Sequence, residues 1–262
     1  MLHGFGISAF GWRVAILADC ENTRAVLDRY LFPWLRRSAA EPEKADAAFW
    51  VQPAQAGFQV CAAGQTLASS ATLETLIPQL QNLLDQEMVN RFTGVVAVHA
   101  GVAAFGGSAV LLPGPSRAGK STLVAELVRR GCVYFSDEYA LIDHVGRAHP
   151  YPRAMMLRNG LPEARPVLVS EWEGTVGNGP APVRLVLALE HAPGSSWDIL
   201  RVPQSEMLLT LLKNTPHSVS ESRDLVAPLL RVSEGAACFA GVRGEAADAA
   251  GRIVKMLANQ AA

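Results

Sequence analysis

Residues 114–121 read Gly-Pro-Ser-Arg-Ala-Gly-Lys-Ser and match the spacing G-x-x-x-x-G-K-[ST] of a phosphate-binding loop. Glycine at each end lets the backbone turn successive N–H groups towards an anion, and a helix after the loop adds the positive end of its dipole. Lys120 would reach the β- and γ-phosphates, and the hydroxyl of Ser121 would bind Mg²⁺. The pattern therefore predicts a site for a nucleoside triphosphate such as ATP, together with Mg²⁺.

The flanking residues predict the elements that such a loop needs. Ala109 to Leu112 form an apolar run typical of a buried strand, and residues 122–130 have the apolar spacing of a helix. A second strand is predicted at residues 132–135, and it ends in Ser136-Asp137-Glu138. Carboxylates at the end of a strand beside a phosphate loop are placed to approach Mg²⁺ and the terminal phosphate, although two solvated acids in a turn are the alternative. The candidate metal ligands are Ser121, Asp137 and Glu138.

Two arginines and a histidine complete the candidate site. Arg117 lies inside the loop, where it either contacts phosphate or faces solvent. Arg153 lies in a proline-broken stretch, residues 149–160, and its guanidinium suits a phosphate or an acidic acceptor, unless this stretch is an ordinary solvated loop. His99 interrupts an apolar run, so it is either a strand histidine satisfied by a backbone carbonyl or a partner of the reacting phosphate. The candidate nucleotide-binding residues are Gly114, Ser116, Arg117, Ala118, Gly119, Lys120, Ser121, Thr122 and Arg153.

The order of these motifs resembles the catalytic core of the HPr kinase/phosphorylase family. The matching residues are His99-Ala100-Gly101, the loop with Gly119-Lys120-Ser121, one helix, and then Ser136-Asp137-Glu138. In that family a His-Gly pair precedes the loop strand and an acidic pair follows the loop helix at nearly this distance. Transport and motor ATPases carry their acidic strand farther downstream, whereas small-molecule kinases of the shikimate and gluconate type share the short spacing. The resemblance covers residues 95 to 150, fades towards residue 258 and is absent before residue 90.

The resemblance implies an α/β fold with a P-loop kinase core, a mixed sheet and flanking helices. It implies that Asp137 is the catalytic base for an acceptor hydroxyl, that Glu138 helps to hold Lys120 or the metal, and that His99 lies near the reacting phosphate. The implied acceptor is a serine of a protein or of a ribosomal peptide precursor. The later glycine-rich motif of the family, with a further metal-binding glutamate, is not recognisable in this chain, so phosphorolysis is not implied. The family forms rings, which leaves a homo-oligomer open.

Two other functions use the same motif. A small-molecule kinase would transfer the γ-phosphoryl group to the hydroxyl of a free metabolite, again with Asp137 as the base. A nucleotide-binding switch or scaffold would use ATP for a conformational change and would transfer nothing. The position of Asp137 at the end of a strand favours transfer, although hydrolytic switches also place acids there.

Composition narrows the cellular context. The 262 residues carry a net charge of −1 with a pI near 6.6, so no global field favours nucleic acid or an anionic membrane. The four cysteines lack metal or redox spacing and are expected to be reduced thiols. Residues 1–20 lack the basic start and apolar centre of a secretory signal, and Gly106-Gly107 divides the apolar region 95–112 into two predicted strands. We therefore expect a cytoplasmic enzyme without a nucleic-acid or membrane partner.

The predicted division falls near residue 90. Residues 1–90 are expected to form a smaller α+β N-terminal domain for acceptor recognition or another accessory role, and residues 91–262 the catalytic domain. Strands are predicted at Val14 to Leu17, 49–51, 58–61 and Val183 to Leu189. Helices are predicted at Thr23 to Leu35, Leu73 to Phe92 (with Pro78 as a kink or a true start), Ser205 to Lys213 and Glu245 to Leu257.

Overall fold

The computed structural model describes residues 3–33, 35–89, 91–158, 164–216 and 225–260. It comprises two compact units: the first consists of Met1–Thr93 and Arg153–Leu168, and the second of Gly94–Pro152 and Val169–Ala262. The boundary after Thr93 lies close to the predicted one, but residues 153–168 belong to the first unit and not to the predicted catalytic domain. The loop predicted at 149–160 instead contains a short strand at residues 155–157, and its last two residues, 159 and 160, lie outside the described ranges.

The described strands come in runs along the chain, and helices lie between these runs. The strands are β1 (His3–Ala9), β2 (Trp12–Ala18), β3 (Arg36–Ala39), β4 (Ala47–Ala54), β5 (Gly57–Ala62), β6 (Gln65–Ser70), β7 (Val95–Phe105), β8 (Ser108–Pro113), β9 (Val133–Ser136), β10 (Tyr139–Asp143), β11 (Arg147–His149), β12 (Met155–Leu157), β13 (Arg165–Val167), β14 (Ala181–His191), β15 (Asp198–Arg201) and β16 (Ala237–Arg243). The helices are α1 (Glu21–Tyr30), α2 (Leu73–Val89), α3 (Lys120–Arg129), α4 (Gln204–Lys213), α5 (Val226–Gly235) and α6 (Ala246–Gln260). The chain is therefore a mixed α/β protein, as predicted.

The first unit is built on a sheet with the strand order β3-β1-β2-β4-β5-β6. Only β2 and β4 pair in parallel among these described strands. Every residue of the central strand β2 except Arg13 is buried, whereas β4 alternates buried Phe49 and Val51 with exposed Trp50. Helix α2 contributes a row of buried residues at helical spacing. Pro78 lies inside α2, which begins five residues earlier at Leu73. A separate antiparallel pair, β12 with β13, completes this unit.

The second unit is built on a mixed sheet with the order β11-β10-β7-β8-β14-β16-β15, in which β9 also pairs with β7. The first half of the long strand β7 pairs with β10, and its second half lies between β8 and β9, antiparallel to both. β8, β14 and β16 are parallel neighbours. The carboxyl ends of β8, β9, β14 and β16 therefore meet at one edge of the sheet, which is where open α/β sheets bind ligands.

Helices cover both faces of this second sheet. Residues 96, 98, 100, 102 and 104 of β7 belong to the same buried cluster as Met207 of α4 and Leu229 of α5. On the opposite face, a Cβ added at Gly101 would lie 2.7 Å from Val124 of α3, which shows how closely this helix packs on β7. His99 has the same parity as Gly101, so the strand places it on the face that carries α3.

None of the helices that the structure describes has the length and apolar character needed to cross a bilayer.

Candidate functional site

The loop at 114–119 joins a fully buried strand to the start of a helix. Every residue of β8 is buried, and α3 begins at Lys120, two residues before its predicted start. Gly119 has φ 77° and ψ 21°, a left-handed conformation that favours glycine because it has no Cβ. Arg117 also has a positive φ, 68°, and is exposed. The loop therefore bends sharply just before the helix. The N–H groups of the first turn lie at the N-terminus of α3, and this end of an α-helix attracts anions.

Lys120 is the first residue of α3, and its side chain reaches back to the start of the loop. Its side chain is only 8% exposed. Nζ donates hydrogen bonds to the carbonyls of Gly114, at 2.9 Å, and Pro115, at 2.8 Å. Nζ also lies 3.4 Å from both ring nitrogens of His99. The loop thus wraps around its own lysine and sets the ammonium beside the histidine of the neighbouring strand.

His99 connects the lysine to an acid. Its Nε2 lies 2.7 Å from Oε1 of Glu138, and the two side chains are 17% and 27% exposed. The pairing of β7 with β10 explains this contact, because Tyr139 lies opposite His99 and Ala100 N–H donates to the Glu138 carbonyl at 3.0 Å. The sequence left two alternatives for His99: a ring satisfied by a backbone carbonyl, or a partner of the reacting phosphate. In the structure the ring contacts an acid and a lysine.

The two neighbouring acids have different environments. Asp137 is fully buried, and its Oδ1 accepts a hydrogen bond of 2.9 Å from the hydroxyl of Tyr134. Glu138 points towards His99 and is partly exposed. The turn between β9 and β10 is held by the Ser136 hydroxyl oxygen, which accepts from the amides of Glu138 and Tyr139 at 3.3 and 3.2 Å. Only Glu138 of this pair is therefore open to a molecule that arrives from solvent.

Arg243 is a site residue that the sequence analysis missed. It lies at the carboxyl end of β16, is 2% exposed, and donates from Nη2 to the carbonyls of Ala118 and Gly119 at 3.4 and 3.1 Å. Burial lowers the pKa of Arg243 from its ordinary value, and Glu245 acts in the opposite direction. A strand predicted at 237–243 would have placed an arginine at this edge of the sheet.

The remaining candidates fall into two groups. Ser116 and Thr122 are exposed, and Ala118 and Ser121 are half-buried, all in the loop or the first turn of α3. Arg153 instead belongs to the first unit, where it is 3% exposed and its guanidinium pairs with the carboxylate of Asp85 in α2. Arg153 was predicted to bind the nucleotide or an acidic acceptor. In the structure its partner is Asp85, and both residues lie in the first unit, whereas the phosphate-binding loop lies in the second.

The described residues contain no group of three or more His, Cys, Asp or Glu side chains that could hold a metal ion. This does not conflict with a predicted Mg²⁺ site, since Mg²⁺ is commonly bound through one or two carboxylates, phosphate oxygens and water. The oxygens of Ser121, Asp137 and Glu138 have the hard donor chemistry that this ion prefers.

Comparison with protein-family models gives no match for this chain, and a search of curated proteins gives none either.

Proposed function

We propose that the chain is a kinase that transfers the γ-phosphoryl group of ATP to a hydroxyl group. The observation that carries this proposal is the contact series from Lys120 through His99 to Glu138, at the edge where β8, β9 and β16 end. A lysine, a histidine and a carboxylate in contact at a helix N-terminus provide a cation for phosphate and a base for an alcohol. The proposal includes the finer assignment of the second unit as a P-loop kinase core of the HPr kinase type.

Nucleotide binding is assigned to the loop. Phosphoryl transfer requires positive charge around the moving group, and Lys120 with the N–H groups of the loop and the first turn of α3 would supply it. The hydroxyl of Ser121 and a carboxylate of Asp137 or Glu138 would hold Mg²⁺, which when bound neutralises charge on the phosphate oxygens. Binding of ATP would draw the Lys120 ammonium from the carbonyls of Gly114 and Pro115 towards phosphate.

The acceptor proton has two candidate receivers. Asp137 is the base that the family resemblance implies, but its carboxylate is fully buried and accepts from Tyr134. Glu138 is partly exposed, and His99 holds its Oε1. A base must come within hydrogen-bond reach of the hydroxyl that it deprotonates, so exposure favours Glu138 for this step. Asp137 would then support the turn and contribute negative charge for the metal.

The proposed acceptor is a serine of a protein or ribosomal peptide precursor, and this choice rests on the resemblance to the HPr kinase family. A free metabolite with a hydroxyl is the alternative acceptor. The test is incubation of the purified chain with γ-labelled ATP, Mg²⁺ and two separate libraries, one of serine-containing peptides and one of metabolites. Label in a peptide supports the proposal, whereas label in a metabolite alone would make the chain a small-molecule kinase.

Variants distinguish the roles of the site residues. Lys120→Ala should abolish transfer and weaken ATP binding, while Lys213→Ala, which removes an exposed lysine at the end of α4, should do neither. Glu138→Gln should keep ATP binding and reduce kcat by about 10²- to 10⁴-fold if Glu138 is the base. If Asp137→Asn alone has that effect, Asp137 is the base. Tight ATP binding through Lys120 with no labelled product from either library would refute the kinase and indicate a nucleotide-binding switch.

A further inference from the structure

We propose that Arg243 is a positioning residue that fixes the direction of the two loop amides nearest the start of α3. The inference deepens the proposed function, on which its consequence for ATP binding rests. The Arg243 guanidinium donates hydrogen bonds to backbone carbonyls, and it would act on the nucleotide without touching it.

The contacts of the guanidinium define the arrangement. Nη2 donates to the carbonyls of Ala118 and Gly119, and Nη1 donates to the carbonyl of Gly244 at 3.0 Å. One planar group thus joins the end of β16 to the end of the loop, across more than 120 residues of sequence. Arginine suits this task because its donors lie in a fixed plane, whereas lysine offers a single point charge.

Peptide geometry converts these contacts into amide directions. In a planar trans peptide the C=O and the following N–H point in opposite directions. Because the Ala118 and Gly119 carbonyls face Arg243, the N–H groups of Gly119 and Lys120 face away from it. Those N–H groups belong to the segment that the motif assigns to phosphate binding. A rotated peptide would turn a carbonyl oxygen towards the anion, so the guanidinium opposes the unfavourable orientation.

Packing around Gly119 shows that the arginine leaves little room for another arrangement. A Cβ added at this residue would lie 2.5 Å from Nη2 of Arg243. The left-handed φ at Gly119 also disfavours any side chain there. Glycine at this position therefore serves two purposes: it permits the bend of the loop, and it lets the guanidinium approach the backbone.

The charge of Arg243 adds to the same effect. The guanidinium is buried, and its acceptors within the described residues are backbone carbonyls. Screening by water is weak for a buried charge, so its positive potential extends to the opposite side of the loop peptides. An anion held by the N–H groups of the loop would be attracted by this charge without touching it.

The test separates loop positioning from nucleotide binding by using two readouts. Hydrogen exchange of the amides at 116–122 is measured without nucleotide, and the Kd for ATP with Mg²⁺ is measured by calorimetry. The variants are Arg243→Met, Arg243→Lys, and Arg184→Met as the matched control. Arg184 is exposed, and its Nη1 lies 3.5 Å from the Gly235 carbonyl.

Arg243→Met should speed exchange of the loop amides about tenfold, with unchanged exchange in α4, and should raise the Kd for ATP about tenfold. Guanidinium ion added to this variant should lower the Kd again, whereas an equal concentration of sodium ion should not. Arg243→Lys should give intermediate exchange, since it keeps the charge but not the fork. Arg184→Met should match the wild type.

Three results would overturn the inference. The first is unchanged exchange of the loop amides in Arg243→Met, and the second is faster exchange throughout the second unit, which would show a purely structural role. The third is a Kd for ATP that guanidinium ion does not change in this variant. If Arg243→Met does not fold, the test rests on Arg243→Lys. Amide exchange in the loop of that variant at the wild-type rate would reject the inference. If the wild-type chain binds no ATP, the proposed function fails, while the exchange measured without nucleotide still decides whether Arg243 positions the loop.

Discussion

Asp143 allows a stability prediction worked from its contacts. It ends β10, is 4% exposed, and accepts from the amides of Val145 and Arg147 and from the Arg147 guanidinium, with His149 Nε2 3.0 Å away. Burial alone raises the pKa of this carboxyl, but the Arg147 amide, the His149 ring, the Arg147 guanidinium and the Val145 amide prevail and lower it from 3.8 to about 2. These contacts hold the hairpin whose first strand pairs with the His99 segment of β7.

The shift sets both the size and the pH range of the effect. A pKa lowered on folding stabilises the folded state above the unfolded pKa, and this stabilisation is lost as the pH falls through the folded value. For a shift from 3.8 to about 2, the contribution of Asp143 is about 2 kcal/mol at pH 7 and about half of that at pH 3. We therefore expect Asp143→Asn to lower the free energy of unfolding by about 2 kcal/mol at pH 7, and by less in acid.

Urea denaturation at pH 7 and pH 3 measures this difference. Asp198→Asn, which changes an exposed carboxylate in the edge strand β15, is the control and should stay within about 0.5 kcal/mol of the wild type at both values. A loss that is the same at both pH values would show that the charge of Asp143 is not the cause. A loss well below 1 kcal/mol at pH 7 would refute the contribution assigned to its hydrogen bonds.

Two further predictions concern packing and a buried ion pair. Gly101→Ala should lower stability by about 1–3 kcal/mol, because the new Cβ would meet Val124 at 2.7 Å, and an unchanged melting temperature would contradict this close approach of α3 to β7. Arg153→Met should lower the free energy of unfolding in urea by about 3–5 kcal/mol, because it leaves the Asp85 carboxylate buried without its cation. The double variant Arg153→Met with Asp85→Leu should recover most of that loss. An Arg153→Met variant as stable as the wild type would argue against the ion pair.

Local patterns predicted the elements around the loop well. The strand before it, the helix after it and the strand that ends at Ser136 all lie within two residues of their predicted positions, because each has an apolar pattern that neighbouring residues suffice to define. The helix predicted to Leu35 was wrong at its end. α1 stops at Tyr30, Phe32 has φ 46°, and Pro33 follows, so the backbone leaves the helical region there.

The missed features depend on contacts between distant residues. β16 was not predicted because its sequence, Ala-Cys-Phe-Ala-Gly-Val-Arg, contains a glycine and no clear alternation, so the role of Arg243 was also invisible. The placement of Arg153 in the first unit depends on Asp85, which lies 68 residues away. The sequence did place His99 and Glu138 in one candidate site, but the difference in exposure between Asp137 and Glu138 follows from the turn at Ser136 and needed the structure.

The division of the chain bears on how the protein is made. When residue 93 has left the ribosome, the first unit still lacks β12, β13 and Arg153, which are translated only after the loop at 114–121. Synthesis of the second unit therefore begins before the first can be completed, and it ends last. The strands β1 to β6 can pair with one another during this interval, but α2 still lacks Arg153, the cation that pairs with its Asp85 carboxylate. Each unit has its own internal contacts, but the order of synthesis interleaves the segments of the two.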